Sequence, residues 1–149
     1  MINIIAYTDG SCNVKTRNGG AGVYILIDGK EKFISIGYNE TTISRMEMTA
    51  VLLAIKEFPE NISGELLIYS DSQFVVNSFN KGWLKSWILS DFENRVNSDI
   101  WREIVLELIN RPKMIFKIVH TRGHQSDISN DINYGNSVAD ILANYKNFL

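Results

Sequence analysis

The feature that most constrains the fold of this chain is the position of its acidic residues relative to its apolar segments. Asp9 closes the strand-like run of residues 2–8, and Asp71 closes the run of residues 66–70. Turn or helix-start residues follow both acids at once. Because side chains at strand ends lie at the rim of a sheet, the pattern predicts a sheet whose rim carries both carboxylates.

A third acid, Glu47, lies on the apolar face of a predicted helix. Residues 45–58 have helical periodicity, and Pro59 stops the helix. Burying an ionised carboxylate is costly unless it is paired or binds a metal. We therefore interpret Asp9, Glu47 and Asp71, with Asp140 on the last helix, as acids that converge on hard divalent ions. The residues that share a helix face with Glu47 are Val51, Ala54, Ile55 and Phe58.

The order of predicted elements indicates an α/β domain with a mixed sheet. The turn signal Asp28-Gly29 makes the second and third strands a hairpin, so three antiparallel strands open the domain and a βαβ unit follows. We expect residues 82–101 to be irregular and aromatic, and residues 121–135 to form a mobile loop. The predicted strands are 2–9, 22–28, 31–37, 65–70 and 114–120, and the predicted helices are 45–58, 72–80, 99–110 and 136–147.

Length and composition indicate one globular domain spanning residues 1–149. Hydrophobic residues make up 45% and charged residues 21%, which excludes disorder as the main state. The longest apolar run, residues 50–55, is too short for a membrane span, and Met1 leads directly into a strand without a signal sequence. The single cysteine, Cys12, fits a reducing compartment, so we expect a cytoplasmic protein. We favour a packed or neutral thiol over a catalytic one.

The net charge of −2 argues weakly against a nucleic-acid partner, but the distribution of charge is more informative. No acid occurs in residues 10–27 or in residues 108–126, and both tracts contain basic residues. Two basic tracts therefore flank the predicted acidic site, although each alone is equally well explained as a solvated face. The basic residues are Lys15 and Arg17 in the first tract, and Arg111, Lys113, Lys117, His120, Arg122 and His124 in the second.

Several short segments, in their order along the chain, resemble the successive motifs of type 1 ribonuclease H. They are Thr8-Asp9-Gly10-Ser11-Cys12, Ser44-Arg45-Met46-Glu47-Met48-Thr49-Ala50, Tyr69-Ser70-Asp71-Ser72-Gln73-Phe74-Val75, Thr121-Arg122-Gly123-His124 and Asn136-Ser137-Val138-Ala139-Asp140. The resemblance extends from Ile4 to about Ala143. It implies an RNase H-like fold with five strands, three antiparallel and then two parallel, flanked by helices. It also implies endonucleolytic cleavage of the RNA strand of an RNA/DNA hybrid, giving 5′-phosphate and 3′-hydroxyl ends, with two Mg²⁺ ions and Mn²⁺ as a substitute.

The resemblance also implies roles for five residues. Asp9 would bridge the two ions, Glu47 and Asp71 would hold the ion near the leaving group, and Asp140 would hold the ion that carries the attacking water. His124 would transfer a proton or assist product release. Taken without the resemblance, Asp71 is equally well a helix cap, and His124 is more simply an exposed loop residue. Residues 125–135 are longer than the corresponding loop in many bacterial members.

Contacts with the hybrid follow from the same resemblance. Where family members commonly have Asn after the phosphate-binding Thr, this chain has Ile43, so one minor-groove contact is expected to be missing. We expect Trp87 and Trp101 to be core residues. The implied substrate-binding residues are Gly10, Ser11, Cys12, Asn13 and Gln73 at the RNA strand, together with Glu47, and Thr42, Asn97 and Trp83 at the DNA strand.

Two alternatives of other kinds remain open at this point. One is a catalytically silent RNase H-like module of a larger replication or reverse-transcription assembly, against which the complete set of four acids argues. The other is a DNA-cutting relative, which should lack the matches at residues 10–13 and Gln73. We expect a monomer that binds the hybrid weakly and with little salt dependence. The reason is that residues 81–102, which correspond to a basic arm in several members, carry only four basic and three acidic residues.

Overall fold

The structure, a computed structural model, describes residues 1–122 and 130–145. Its strands are β1 (Ile2–Cys12), β2 (Gly19–Ile27), β3 (Lys30–Tyr38), β4 (Gly64–Ser70) and β5 (Met114–His120). Its helices are α1 (Ile43–Lys56), α2 (Gln73–Asn80), α3 (Trp83–Leu89), α4 (Ser98–Ile109) and α5 (Asp131–Tyr145). No helix in these two described ranges is long and apolar enough to span a lipid bilayer.

The five strands form one mixed sheet in the order β3-β2-β1-β4-β5. The first three strands pair antiparallel, and β4 and β5 continue the sheet parallel to β1. The predicted α/β class and the predicted mixture of antiparallel and parallel strands are therefore confirmed. Because β1 is the central strand and pairs with β2 and β4, a residue on β1 lies between both halves of the sheet.

Helices cover both faces of the sheet, and alternation along the strands decides which residues face which helices. Ile4 and Ala6 of β1 belong to a large core with residues of α1 and α4, whereas Tyr7 belongs to a smaller cluster with residues of α5. The two sets alternate because successive strand side chains point to opposite faces. A residue at position 9 therefore lies on the face that α5 covers, and α1 approaches from the other side.

The helices near the rim begin at residues with clear capping roles. The Thr42 side chain accepts a hydrogen bond from the Arg45 N–H at the start of α1, and the Ser72 side chain accepts from the Val75 N–H at the start of α2. These are the oxygen-bearing side chains that helix starts favour, since they satisfy N–H groups that have no partner within the helix. Thus Ser72 caps α2, and Asp71, which could have served as the cap, remains at the strand end.

The sequence-based prediction of the strand ends was wrong at β1 and β2. β1 continues through Gly10 to Cys12, and β2 begins at Gly19, so Asp9 lies within a strand and does not close it. Glycines are turn signals in isolation, but here Gly10 pairs with Ala21, and Cys12 with Gly19, across an antiparallel ladder. The parallel partner β4 ends at Ser70, opposite Thr8, so Asp9 still lies where the parallel half of the sheet ends.

Two predictions for the helices were also wrong. Residues 82–101 are not wholly irregular, because α3 occupies Trp83–Leu89 after Gly82, whose φ of 76° starts the turn. Likewise α5 begins at Asp131, five residues earlier than predicted, so residues 131–135 are helical. The Asn130 side chain accepts a hydrogen bond from the Ile132 N–H at its start, and Gly135 lies within the helix. The remainder of the predicted mobile loop, residues 123–129, lies outside the described residues.

Candidate active site

Three of the predicted acids meet at the end of the parallel half of the sheet. Asp9 from β1, Glu47 from α1 and Asp71, directly after β4, each offer a carboxylate oxygen, and these oxygens lie within 4.8 Å of one another. Asp9 and Glu47 are only 7% and 9% exposed. Three acids this close and this buried are unfavourable as free anions, so the site must hold protons or cations.

Gly10 permits this convergence, because it lets α1 approach β1. A Cβ atom at position 10 would lie 2.4 Å from the backbone nitrogen of Glu47 and 2.6 Å from the carbonyl carbon of Met46. Both distances are far below van der Waals contact, and the atoms are backbone atoms that cannot rotate away. The Gly10 N–H also donates a hydrogen bond of 2.8 Å to Asp9 Oδ1. The glycine therefore sets the distance between two of the acids and orients one of them.

The fourth acid, Asp140, reaches the same site from α5. Its side chain is half-buried, forms a hydrogen bond with Asp9, and accepts one of 3.3 Å from Asn144 Nδ2 on the next turn of the helix. Glu47 forms a corresponding hydrogen bond with Asp71. Two carboxyl groups form a hydrogen bond only when one of them is protonated. These close carboxyl pairs therefore favour the protonated form of Asp9 and of Glu47 over full ionisation.

Burial and mutual repulsion raise the pKa values of two of these acids. Loss of solvation is the largest cause for Asp9, followed by the charge of Asp71, and the pKa rises from 3.8 to about 8. For Glu47, loss of solvation is again the largest cause, followed by the charges of Asp71 and Asp9, and the pKa rises to about 10. The Gly10 N–H lowers both pKa values but is outweighed. Groups whose protonation is perturbed in this way are typical of functional sites.

The donor set fits a divalent cation. Glu47 Oε2 is buried and accepts no hydrogen bond from any of the described residues. A buried carboxylate oxygen without a donor is costly, and a cation would satisfy it. The surrounding ligand atoms are all carboxylate oxygens, the hard donors that Mg²⁺ and Mn²⁺ prefer, with no sulfur or imidazole among the three grouped acids.

The predicted RNA-contacting segment borders this site. Gly10 is buried beneath α1, and the Ser11 hydroxyl donates to the Ala143 carbonyl of α5 at 2.8 Å. The Cys12 thiol lies 3.5 Å from the Thr41 carbonyl, and the Asn13 side chain accepts from the N–H groups of the next turn. The side chains of residues 11–13 therefore fix the shape of the segment. Any contact with a 2′-hydroxyl would fall to the exposed backbone and remains a prediction.

The remaining predicted substrate residues lie at the starts of helices α1 to α4. Thr42 and Gln73 stand at the first turns of α1 and α2, and Asn97 precedes α4 in a left-handed conformation. Trp83 is 37% exposed and packs 6.1 Å from the ring of Phe74. All four contacts with substrate stay predictions. His124 lies outside the described residues.

The aromatic residues that were predicted to be core residues are indeed inside. Trp101 is 1% exposed, and the partly buried Trp87 packs against the same core. Their rings lie 5.4 Å apart. Phe74 stacks on Trp87 from the surface side, which joins the start of α2 to α3. The bulk of this core therefore supports the rim on which the exposed Trp83 sits.

Sequence reasoning missed the part that Arg45 plays in this surface. The guanidinium forms two hydrogen bonds with the Asp99 carboxylate, at 3.0 and 2.7 Å, and a third, of 3.1 Å, with Asn97 Oδ1. It thus ties the start of α1 to the start of α4. The partners are 52 and 54 residues away in the chain, so no local pattern could have revealed them.

The sheet and its rim of acids define the class of the protein, an RNase H-like nuclease, and comparisons identify the family. The RNase H family model matches residues 2–147. A ribonuclease H of Syntrophus aciditrophicus is 37% identical over 133 residues, covering 86% of this chain and 74% of the relative. A ribonuclease H of Chlorobium luteolum is 36% identical, covering 86% of this chain and 88% of the relative. The chain belongs to the ribonuclease H family and is accordingly an enzyme of the hydrolase class.

Solved structures agree with this assignment. The RNase H domain of prototype foamy virus, solved in solution, is 28% identical and superimposes with a TM-score of 0.77, covering 97% of this chain and 94% of that domain. The crystal structure of the viral protease–reverse transcriptase gives a TM-score of 0.79, and the present chain spans 21% of that longer polypeptide. A type 1 RNase H with the type 2 active-site motif, LC9-RNase H1, has a TM-score of 0.75 at 21% identity, which supports the fold alone. The predicted RNase H-like fold is therefore confirmed.

Proposed function

We propose that this protein hydrolyses the RNA strand of RNA/DNA hybrids endonucleolytically, leaving 5′-phosphate and 3′-hydroxyl ends. The observation that carries the proposal is the convergence of Asp9, Glu47 and Asp71, with a buried Glu47 oxygen that has no donor among the described residues. Membership of the ribonuclease H family supports the substrate class. Hydrolysis of a phosphodiester by such a site needs no nucleophile from the protein.

In this proposal the acids hold two Mg²⁺ ions, for which Mn²⁺ can substitute. When bound, such ions supply an activated water and neutralise the charge that builds up on the phosphate and the leaving oxygen. Asp9 would ligate both ions because it lies close to Glu47 and Asp71 and also interacts with Asp140. Glu47 and Asp71 would hold the ion near the leaving group, and Asp140 the ion that carries the water.

Residues around the acids would bind and orient the hybrid. The backbone of residues 10–13, with the side chains of Glu47 and Gln73, would distinguish RNA by its 2′-hydroxyls. Thr42, Asn97 and Trp83 would contact the DNA strand. We assign proton transfer or product release to His124, as a prediction from the sequence. We further propose that the protein is a single-domain, cytoplasmic monomer.

A cleavage assay with labelled duplexes tests the function. The purified protein should cut the RNA strand of an RNA/DNA hybrid in Mg²⁺, leave duplex DNA and duplex RNA intact, and lose activity when EDTA removes the metal. Ladders of products with 5′-phosphate ends should appear, since cleavage is internal. Binding of the hybrid without cleavage in either Mg²⁺ or Mn²⁺ would instead identify a silent binding module, and cleavage of duplex DNA would identify a DNA-cutting relative.

A further inference from the structure

A cavity of about 320 Å³ lies beside the acidic cluster, at the starts of α1, α2 and α4. Ser44 lines it and precedes Glu47 by three residues on α1, a rise of roughly 4.5 Å along the helix axis. Phe74 also lines it and follows Asp71 by three residues. A duplex whose scissile phosphate lies at the acids would therefore also pass over this cavity.

Arg95 lines the cavity in a fixed position. Its guanidinium carbon lies 4.8 Å from the centroid of the Trp87 ring, within the range of a cation–π interaction. The Trp87 ring is itself held by the core, against Trp101. Stacking on a rigid ring orients the planar donor fork and reduces the entropy that it would lose on binding a ligand.

The charge of Arg95 is available to a ligand. Arg95 forms no ion pair with any residue of the two described ranges, whereas Arg45 at the start of α1 is held by both oxygens of Asp99. Arg102 in the same segment is paired with Asp91 at 2.8 Å. An exposed arginine that is stacked but not neutralised keeps its five N–H donors for an anion.

The other polar groups of the cavity are also suited to an anion. Asn97 Oδ1 already accepts from Arg45, which leaves the amide nitrogen of Asn97 as a donor. Ser44 contributes a hydroxyl and lies in the first turn of α1, where the Thr42 cap satisfies the N–H of Arg45. The described residues that line the cavity include neither Asp nor Glu. Donors without carboxylates, at a helix start, favour a phosphate over a cation.

We propose that Arg95, held on Trp87, binds a backbone phosphate of the hybrid in this cavity, one helical turn from the metal-binding acids. The inference rests on the proposed function. Of the two arginines in residues 81–102, it assigns the phosphate contact to Arg95, because the guanidinium of Arg102 is neutralised by Asp91. In this role Arg95 contributes to affinity and register, and the acids alone perform the hydrolysis.

The test compares Arg95→Gln with Arg102→Gln. The second variant is a matched control, since Arg102 also stacks on an aromatic ring, at 5.2 Å from Phe92, but is ion-paired and lies outside the cavity. Hybrid affinity is measured in Ca²⁺ across a range of salt concentrations, and kcat and KM are measured in Mg²⁺. Arg95→Gln should weaken binding roughly tenfold, reduce the salt slope of log K by about 0.9 and raise KM with kcat unchanged. Arg102→Gln should stay within about twofold of the wild type.

Replacing single phosphates of the hybrid by uncharged linkages locates the phosphate that Arg95 contacts. Single methylphosphonate groups are placed in turn along the DNA strand and along the RNA strand of the hybrid. Neutralising the contacted phosphate should weaken binding to the wild type but not to Arg95→Gln, and its position identifies the strand. Equal losses for both proteins at every position, or an unchanged salt slope in Arg95→Gln, would overturn the inference while cleavage by the wild type upholds the proposed function. A wild type that neither binds nor cuts hybrids would overturn both.

Discussion

Replacing Asp9 by Asn should stabilise the metal-free protein while abolishing cleavage. Asp9 is 7% exposed, and its pKa is raised from 3.8 to about 8 by loss of solvation and by the charge of Asp71. The asparagine keeps the Oδ1 atom that accepts the hydrogen bond from the Gly10 N–H, so the geometry of the strand end is retained. The substitution removes the Asp9 carboxyl, whose ionisation opposes folding.

The expected gain in the free energy of unfolding follows from the shift in the pKa of Asp9. A carboxyl whose pKa is raised on folding contributes stability that is complete below about pH 4 and is lost as the pH rises through about 8. At pH 7, some 3 pH units above the ordinary pKa of 3.8, the loss is about 4 kcal/mol at 1.36 kcal/mol per unit. A buried amide still lacks solvation, so we expect Asp9→Asn to recover about 1 to 3 kcal/mol, or roughly 3 to 10 °C in Tm.

Denaturant unfolding in EDTA at pH 5, 6, 7 and 8 measures this effect. The wild type should lose stability with rising pH by up to about 1.4 kcal/mol per pH unit for each acid that retains its proton, and Asp9→Asn should show a shallower dependence. Asp28→Asn, at the exposed turn between β2 and β3, removes the same charge away from the cluster and serves as the control. A variant that is less stable than the wild type at pH 8, or that has the same pH slope, would refute the reasoning, as would retention of more than about a tenth of the cleavage rate.

Three further predictions rest on the described residues, and a fourth, for His124, rests on the sequence. Binding of Mg²⁺ should release protons because the acids share them in the metal-free state; calorimetry in buffers of different ionisation enthalpy should show this near pH 7, and Asp9→Asn should release fewer. Gly10→Ala should destabilise the fold by about 2 kcal/mol or more and lower the cleavage rate, since its Cβ would lie 2.4 Å from a backbone nitrogen of α1; a variant with wild-type Tm and rate would contradict the proposed close approach. Arg111→Met should lower the free energy of unfolding, measured in urea, by about 3 kcal/mol without changing kcat. The reason is that Arg111 is 6% exposed and donates hydrogen bonds to the Phe58 and Lys56 carbonyls and to Glu107. His124→Ala should lower kcat roughly 10²-fold and leave hybrid affinity unchanged, as expected of a group that moves protons; an unaltered rate from pH 6 to 9 would exclude the role.

Placing the basic tracts on the fold changes the expected distribution of charge. Lys117 points from the middle of β5 and forms an ion pair of 3.2 Å with Glu65, so it is partly neutralised and lies away from the acids. Arg111 is buried and caps the end of α1. The second tract is therefore not one continuous basic surface. Because neither charge is available at the rim, the second tract offers the hybrid fewer cations there than the sequence suggested.

The sequence by itself determined the fold class and the identity of the acids. Alternation in the strands, helical periodicity around Glu47 and the cap-like Ser72 are local patterns, and each is set by neighbours a few residues away. They were sufficient to predict a mixed sheet and a rim carrying Asp9 and Asp71. An acid on an apolar helix face is informative without any structure, since burial without a partner is unfavourable.

Only the tertiary structure decided how these parts fit together. Gly10 near the end of β1 is a turn signal in the sequence, but pairing with β2 extends the strand. The missing side chain of Gly10 brings α1 within reach of Asp9. Likewise, the partner of Arg45 is 54 residues away, and the ring beneath Arg95 belongs to a different element. Contacts of this kind depend on where the elements pack, and hydrophobic pattern specifies which face of an element is buried but not which residue it meets across the interface.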